Sequence, residues 1–348
     1  MEKIIECVPN FSEGNDKKII RQLISEIHSV KNACVLHTDM GLAANRTVIT
    51  FAGEPEAVVE AAFRVIRKAA EIIDMRSQKG VHPRIGATDV CPLVPVSGIT
   101  MEETVSWAHQ LARRVGEELK LPVYCYGDAA LIGERRNLAH IRKGQYEGLP
   151  EKIKKPDGHP DYGPAAFVPH FGAVAIGARD FLIAYNIDLQ TKSVSVARKI
   201  AQNIRENQIF RKDFAPSRNS EETPMAVSNK GLKAVKAIGW YIEEYGNAQV
   251  SINLTNFRTT PIHEIYERVK SEANYYHTVV TGSEIIGLVP LQVLTDAGKF
   301  YTNDVSLSDL QLINASINHL GLSQKRPFRV KEKILEYAMK DTGLVYGE

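Results

Sequence analysis

The chain has 348 residues, a length that suggests roughly two domains of about 150 residues each. Its 44% hydrophobic and 24% charged content supports a packed core and excludes a disordered chain. A balance of 43 Lys plus Arg against 41 Asp plus Glu gives a net charge of +2 and excludes nucleic-acid binding through bulk charge. No stretch approaches the roughly 18 apolar residues of a membrane helix, so no membrane partner is expected. The start, MEKIIECVPNFSEG, lacks the apolar core of a secretory signal. Cys7, Cys34, Cys91 and Cys125 form no CxxC pair and read as reduced thiols of a cytoplasmic protein.

Ile4–Val8 reads as a strand ended by Pro9 and Asn10. Ile19, Ile20, Leu23, Ile24 and Ile27 recur at helical spacing and predict an amphipathic helix over about 16–29. Ala33–Asp39 and Arg46–Phe51 read as strands joined by a Gly-containing turn. Pro55 suits the first turn of a helix, where a missing N–H costs no bond. Val58, Ala62, Val65, Ile66, Ala69 and Ile73 supply that helix's buried face, with a stop near Gly80. Thr88–Val96 is the next strand, and Pro92 and Pro95 predict an edge or irregular one. A helix over about 100–119 starts on a capping box, Thr100 with Glu103. Leu121–Tyr126 is a strand, and 142–172 reads as a long loop, a length that marks a segment as functional or disordered.

The order then recurs. Ala173–Gly177 and Phe181–Leu189 read as strands, about 191–206 as a helix, and 207–232 as a polar connection. Val235–Glu243 and Gln249–Leu254 form a predicted hairpin around Gly246-Asn247, followed by a helix over about 261–275 and a strand within His277–Leu288. The fold class is therefore α/β (α+β): two tandem ferredoxin-like β-α-β-β-α-β units with mixed sheets. Helical patterns at about 290–299, 307–319 and 331–340 predict a helical C-terminal appendage. The expected divisions are 1–178, 179–300 and 301–348.

In a β-α-β-β-α-β unit, the ends of strands one and two and the starts of strands three and four share one edge. Here that edge gathers Asn10, Ser12, Glu13, His37, Asp39, Asn45, Arg46, His82, Arg84 and Asp89, a convergent polar set of the kind that forms active sites. His82 lies between a helix-ending Gly80 and Pro83, which holds its backbone away from helical geometry. Its imidazole suits acid–base work near neutrality, although a lone loop histidine is also an ordinary surface residue. Asp39 could orient it, or simply cap a strand end. Arg84 and Arg46 suit a bidentate grip on a carboxylate, or a surface ion pair. The spacing of His37, Asp39, His82 and Asp89 matches no metal pattern, and no metal is expected. The stretch Gly163-Pro-Ala-Ala-Phe-Val-Pro-His-Phe-Gly172 is stiff and apolar for a loop. Phe167 and Phe171 could stack on a flat heterocycle, or the stretch could line a core.

At these residues the chain resembles the glutamate formimidoyltransferase family, which also forms the amino-terminal half of formimidoyltransferase-cyclodeaminase. The matching stretches include ECVPNFSEG at 6–14, NRTVITF at 45–51, KGVHPRIGATDVCPLVPV at 79–96, GPAAFVPHFGA at 163–173 and IGWYIEEYGNAQVSINL at 238–254. The resemblance implies a stand-alone transferase, since the chain ends where the cyclodeaminase half would begin. It implies two ferredoxin-like subdomains with a substrate tunnel between them. It also implies transfer of a formimidoyl group between formimidoylglutamate and tetrahydrofolate in histidine degradation, with tetrahydrofolate as co-substrate and no metal. The family's catalytic histidine falls on His82, and Asp39 matches an acidic position of the family pattern; Arg84, from its place at the same edge, is a further supporting candidate. Its folate-binding stretch falls on Gly163, Pro164, Ala165, Ala166, Phe167, Val168, Pro169, His170, Phe171 and Gly172. His170-Phe171 departs from the Ser-Trp of other members. Lys152, Lys154 and Lys155 suit contacts with a polyglutamate tail, and a homodimer is compatible with the sequence. The alternatives are a glutamate formyltransferase using 5-formyltetrahydrofolate and a folate-binding module without catalysis.

Overall fold

The computed structural model describes residues 2–206 and 231–344. Most of the polar connection expected at 207–232 lies outside them. Met1–Asp180 together with Val330–Glu348 form one compact unit, and Phe181–Arg329 form the other.

The first unit opens with β1 (Ile4–Cys7) and β2 (Asn10–Phe11), then α1 (Lys17–His28), β3 (Ala33–Gly41), β4 (Arg46–Gly53), α2 (Pro55–Ile72) and β5 (Thr88–Ser97). Pro9 interrupts the first strand and does not end it, since β1 and β2 both lie between β4 and β5 in the sheet. With β3 outside β4, the spatial order is β5, β1/β2, β4, β3, all antiparallel. This is the ferredoxin-like arrangement. The sheet continues through α3 (Met101–Glu118), β6 (Val123–Gly127), α4 (Leu138–Ile141), α5 (Gln145–Lys152) and β7 (Val174–Ala178). β7 pairs parallel to both β5 and β6. β7 therefore lies between β5 and β6 within the first sheet.

β5 is central, not an edge, and of the two expectations its prolines raised, the irregular strand is the one the ladder shows. Pro95 sits opposite Ile5, where the register with β1 shifts, and the Pro92 carbonyl still accepts from Val8 N–H at 3.2 Å.

α1 starts on Asp16, whose carboxylate accepts from Lys18 N–H at 2.6 Å, and buries Ile20, Leu23 and Ile27. Each such side chain contributes about 1.5–3 kcal/mol on leaving water. α2 begins on Pro55, as its sequence predicts, but stops at Ile72 well before Gly80. Asp74 ends the helical run: its carboxylate accepts from the Arg76 N–H and its carbonyl from the Ser77 N–H and hydroxyl. Such local side-chain bonds compete with helix continuation. α3 carries the predicted Thr100–Glu103 capping box. The expected loop at 142–172 contains α5, which buries Leu149 despite Pro150 within it.

In the second unit β8 (Ile183–Leu189), α6 (Val194–Ile204), β9 (Val235–Ile242), β10 (Asn247–Leu254), α7 (Ile262–Tyr275) and β11 (Val280–Ile286) form a four-stranded sheet of order β11-β8-β10-β9. Its pairings are antiparallel, again ferredoxin-like, and the hairpin turns on Gly246 with φ +65°. The C-terminal helices divide. α8 (Leu291–Thr302) and α9 (Asp309–His319) pack together in the second unit, while α10 (Val330–Lys333) and α11 (Leu335–Asp341) pack on β3 of the first. No helix of the described residues is long and apolar enough to cross a membrane.

Candidate active site

Three loops of the first unit meet at one sheet edge. The β3–β4 turn is held by Asn45, whose side chain accepts from Gly14 N–H at 2.9 Å and donates to the Lys79 carbonyl and Gln78 Oε1, each at 2.7 Å. Gln78 Nε2 donates to the buried Glu13, which also accepts the N–H groups of Asn15 and Asp16. Gly80 closes the junction: a Cβ there would come within 2.4 Å of the Ala44 carbonyl oxygen. The result is a shallow concavity lined by Ser12, Ala44, Asn45, Arg46, Gln78, Lys79, Gly80, His82 and Arg84. Five of those nine come from the polar set that the element order gathered.

His82 is half-buried on this wall. Its Nδ1 lies 2.8 Å from the Pro83 carbonyl oxygen. A carbonyl only accepts, so Nδ1 carries the proton and Nε2 is the basic nitrogen. Burial, then the guanidiniums of Arg46 and Arg142, push the imidazole well below its usual value of 6.5. These surroundings favour the neutral form of the imidazole.

Behind it lies a fully buried carboxylate, Asp89, clamped by Arg46 Nη1 at 2.7 Å and by Arg142 Nη2 at 2.5 Å. Its other oxygen accepts from Ile85 N–H at 2.9 Å. Burial alone would raise the Asp89 carboxyl, but Arg142 and Arg46 outweigh it and hold it well below the usual carboxylate range. Arg46 also donates to Asn10 Oδ1 at 3.0 Å. Arg84 makes a two-bond pair with Glu147 at 2.7 and 2.9 Å.

The stretch 163–172 is bound to the backbone just beyond His82. Ala87 N–H donates to the Phe171 carbonyl at 2.8 Å, and Ala173 N–H to the Ile85 carbonyl at 3.0 Å. Gly172 has φ +81°, and a Cβ there would come within 2.1 Å of the Ile85 oxygen, so only glycine allows this approach. Tyr146 O–H donates to the Pro169 carbonyl, and its ring packs on Phe167 at 5.5 Å.

Two family models cover nearly the whole chain: the N-terminal subdomain of the formiminotransferase domain matches residues 4–179, and the formiminotransferase domain matches 184–340. The chain belongs to the formiminotransferase family. It is 45% identical to the formimidoyltransferase-cyclodeaminase of Rattus norvegicus over 99% of its own length, and spans 61% of that relative. It is 40% identical to a glutamate formimidoyltransferase of Streptococcus pyogenes over 86% of this chain and 94% of the relative. With the glutamate formimidoyltransferase of Thermoplasma acidophilum the identity is 43%, over 86% and 92%.

Within this formiminotransferase domain some expected residues stand elsewhere. Asp39 does not line the concavity. β3 runs on to Gly41, so Asp39 is a mid-strand residue opposite Val48, and its carboxylate meets Lys333 of α10 at 2.7 Å and His37 at 3.6 Å. The Phe171 ring is fully buried in the main core, so the stacking expected of it is not available from its position. Phe167 and its neighbours from Gly163 to His170 are exposed or half-buried. Lys152 donates to the carbonyls of His140 and Ile141, and Lys154 makes an exposed pair with Glu151. Sequence reasoning missed Arg142, Gln78 and Glu147. Arg142 lies 53 residues from its partner Asp89, and no local pattern announces such a pairing.

Proposed function

We propose that this chain is a glutamate formimidoyltransferase, moving the formimidoyl group from N-formimidoyl-L-glutamate to tetrahydrofolate with His82 as the proton carrier. The observation that carries the reading is His82 on the wall of the concavity, with Nδ1 held by the Pro83 carbonyl, next to a backbone bonded to the 163–172 stretch. The stand-alone bacterial and archaeal relatives bear the same activity in their names. Four free cysteines support a reducing, cytoplasmic setting.

In this reading the pterin amine attacks the formimidoyl carbon and a tetrahedral intermediate forms. His82 Nε2 takes the proton from the attacking nitrogen and returns it to the glutamate nitrogen, which leaves as the C–N bond breaks. The Arg46 and Arg142 charges make the imidazolium short-lived, which favours the second transfer. Acid–base work of this kind contributes about 10²–10⁴-fold. Tetrahydrofolate is a co-substrate held by the 163–172 stretch, with Arg84 in a positioning role beneath it through Tyr146, whose N–H donates to the Arg84 carbonyl at 2.9 Å.

The aromatic residues of that stretch give separable expectations. Phe167→Ala weakens tetrahydrofolate binding by about 1 kcal/mol, the worth of a lost aromatic contact. Phe171→Ala destabilises the fold by about 3–5 kcal/mol, because it empties a core site. Calorimetric titration with folate and thermal melts separate the two. Unchanged folate affinity in Phe167→Ala returns that ring to a purely structural role.

An amidine carbon is a better electrophile than a formamide carbon, so formimidoylglutamate is the expected donor. That preference rests on the electrophile and on the relatives' names. The test is turnover with formimidoylglutamate against N-formylglutamate under matched conditions. Equal or greater turnover of the formyl donor reassigns the chain to formyl transfer.

A further inference from the structure

The transferase reading leaves open what grips the glutamate half of the substrate, and the charges around the concavity answer it. Four cations, Arg46, Lys79, Arg84 and Arg142, stand at or behind its wall against two carboxylates, Asp89 and Glu147. Glu147 neutralises Arg84. Asp89 balances one of its two guanidiniums and leaves the other uncompensated. Lys79 makes no ion pair among the described residues, and Glu13 is committed to the amides of Asn15 and Asp16 and to Gln78. Arg46 is 8% exposed, and its Nη2 makes no hydrogen bond among the described residues. Arg46 shares its buried counter-charge, Asp89, with Arg142, and burial brings the Arg46 guanidinium down to about 10.

We propose that Lys79 and Arg46 bind the two carboxylates of the glutamate moiety and so set selectivity for an acidic amino acid on the nitrogen that leaves. Lys79, on the exposed rim, supplies a flexible point charge. Arg46, on the inner wall, supplies a fixed donor. Arg142 holds Asp89 so that Arg46 keeps its surplus charge. Because the reaction passes beside His82 on the same wall, both anchors would hold the scissile C–N bond at one end of the concavity.

The test is calorimetric titration of the full chain with formimidoylglutamate, glutamate and tetrahydrofolate. Lys79→Met is expected to weaken both glutamate ligands by at least about tenfold, leaving tetrahydrofolate within about twofold. Arg46→Gln should do the same, with Arg46→Lys retaining most of the affinity. If Arg46→Gln fails to fold, Lys79→Met, on an exposed rim, still decides. Unchanged glutamate affinity in Lys79→Met, a loss that falls on tetrahydrofolate instead, or no glutamate binding by the wild type overturns the proposal. The transferase reading fails separately, if the wild type binds formimidoylglutamate yet forms no 5-formimidoyltetrahydrofolate.

Discussion

His82→Ala is expected to lower turnover at least about a hundredfold while the melting temperature stays near wild type. The fold should survive because His82 is a half-buried loop residue whose ring bonds to the carbonyl of its own neighbour, Pro83. The chemistry should not survive, because without Nε2 the attacking amine must lose its proton to water and the leaving amine must recover one from water. Steady-state turnover together with folate affinity gives the discriminating pair of measurements. A variant that keeps folate but loses turnover supports catalysis by His82 and excludes the folate-binding module. A variant with near wild-type turnover removes His82 from the mechanism.

Asp89→Asn should cost about 3–5 kcal/mol of stability, because it leaves Arg46 and Arg142 buried beside each other without a counter-charge. The melting temperature should fall by roughly 10 °C for a unit of this size. The sign of the pH dependence follows from the depressed carboxyl. Asp89 contributes its stability above the ordinary unfolded value, about 3.9, and loses it as pH falls through its lower folded value. The gap between wild type and variant should thus be full above about pH 4 and narrow below it. Melts across that range check both claims, and a variant within about 2 °C of wild type at pH 7 would show that the pair is not a stabilising clamp.

Much of this was legible locally. The spacing of Ile20, Leu23 and Ile27, the capping box at Thr100 and the Gly246 hairpin each depend on residues within one turn or two. The convergence of Ser12, Asn45, Arg46, His82 and Arg84 followed from element order alone, because topology fixes which strand ends share an edge. What was illegible depends on distant partners. Residues 174–178 form an apolar run that suits any buried strand, and nothing in it says which sheet it joins. Pro92 and Pro95 argue for an edge or an irregular strand, and only the pairings with β1 and β7 show that it is the second. Phe171 is aromatic and loop-borne, yet its backbone bond to Ala87 turns the ring inward. Asp39 seemed a strand-end residue only because β3 was read two residues short.

The most direct test of the neutral-base role is the pH dependence of kcat/KM for formimidoylglutamate. His82 must be unprotonated to accept the first proton, and its value is pushed down by burial, Arg46 and Arg142. The expected acid limb therefore lies below pH 6.5, with a plateau above it, and the limb disappears from the residual activity of His82→Ala. An acid limb at or above pH 6.5, or the same limb in the variant, would contradict the assignment of His82 as the base.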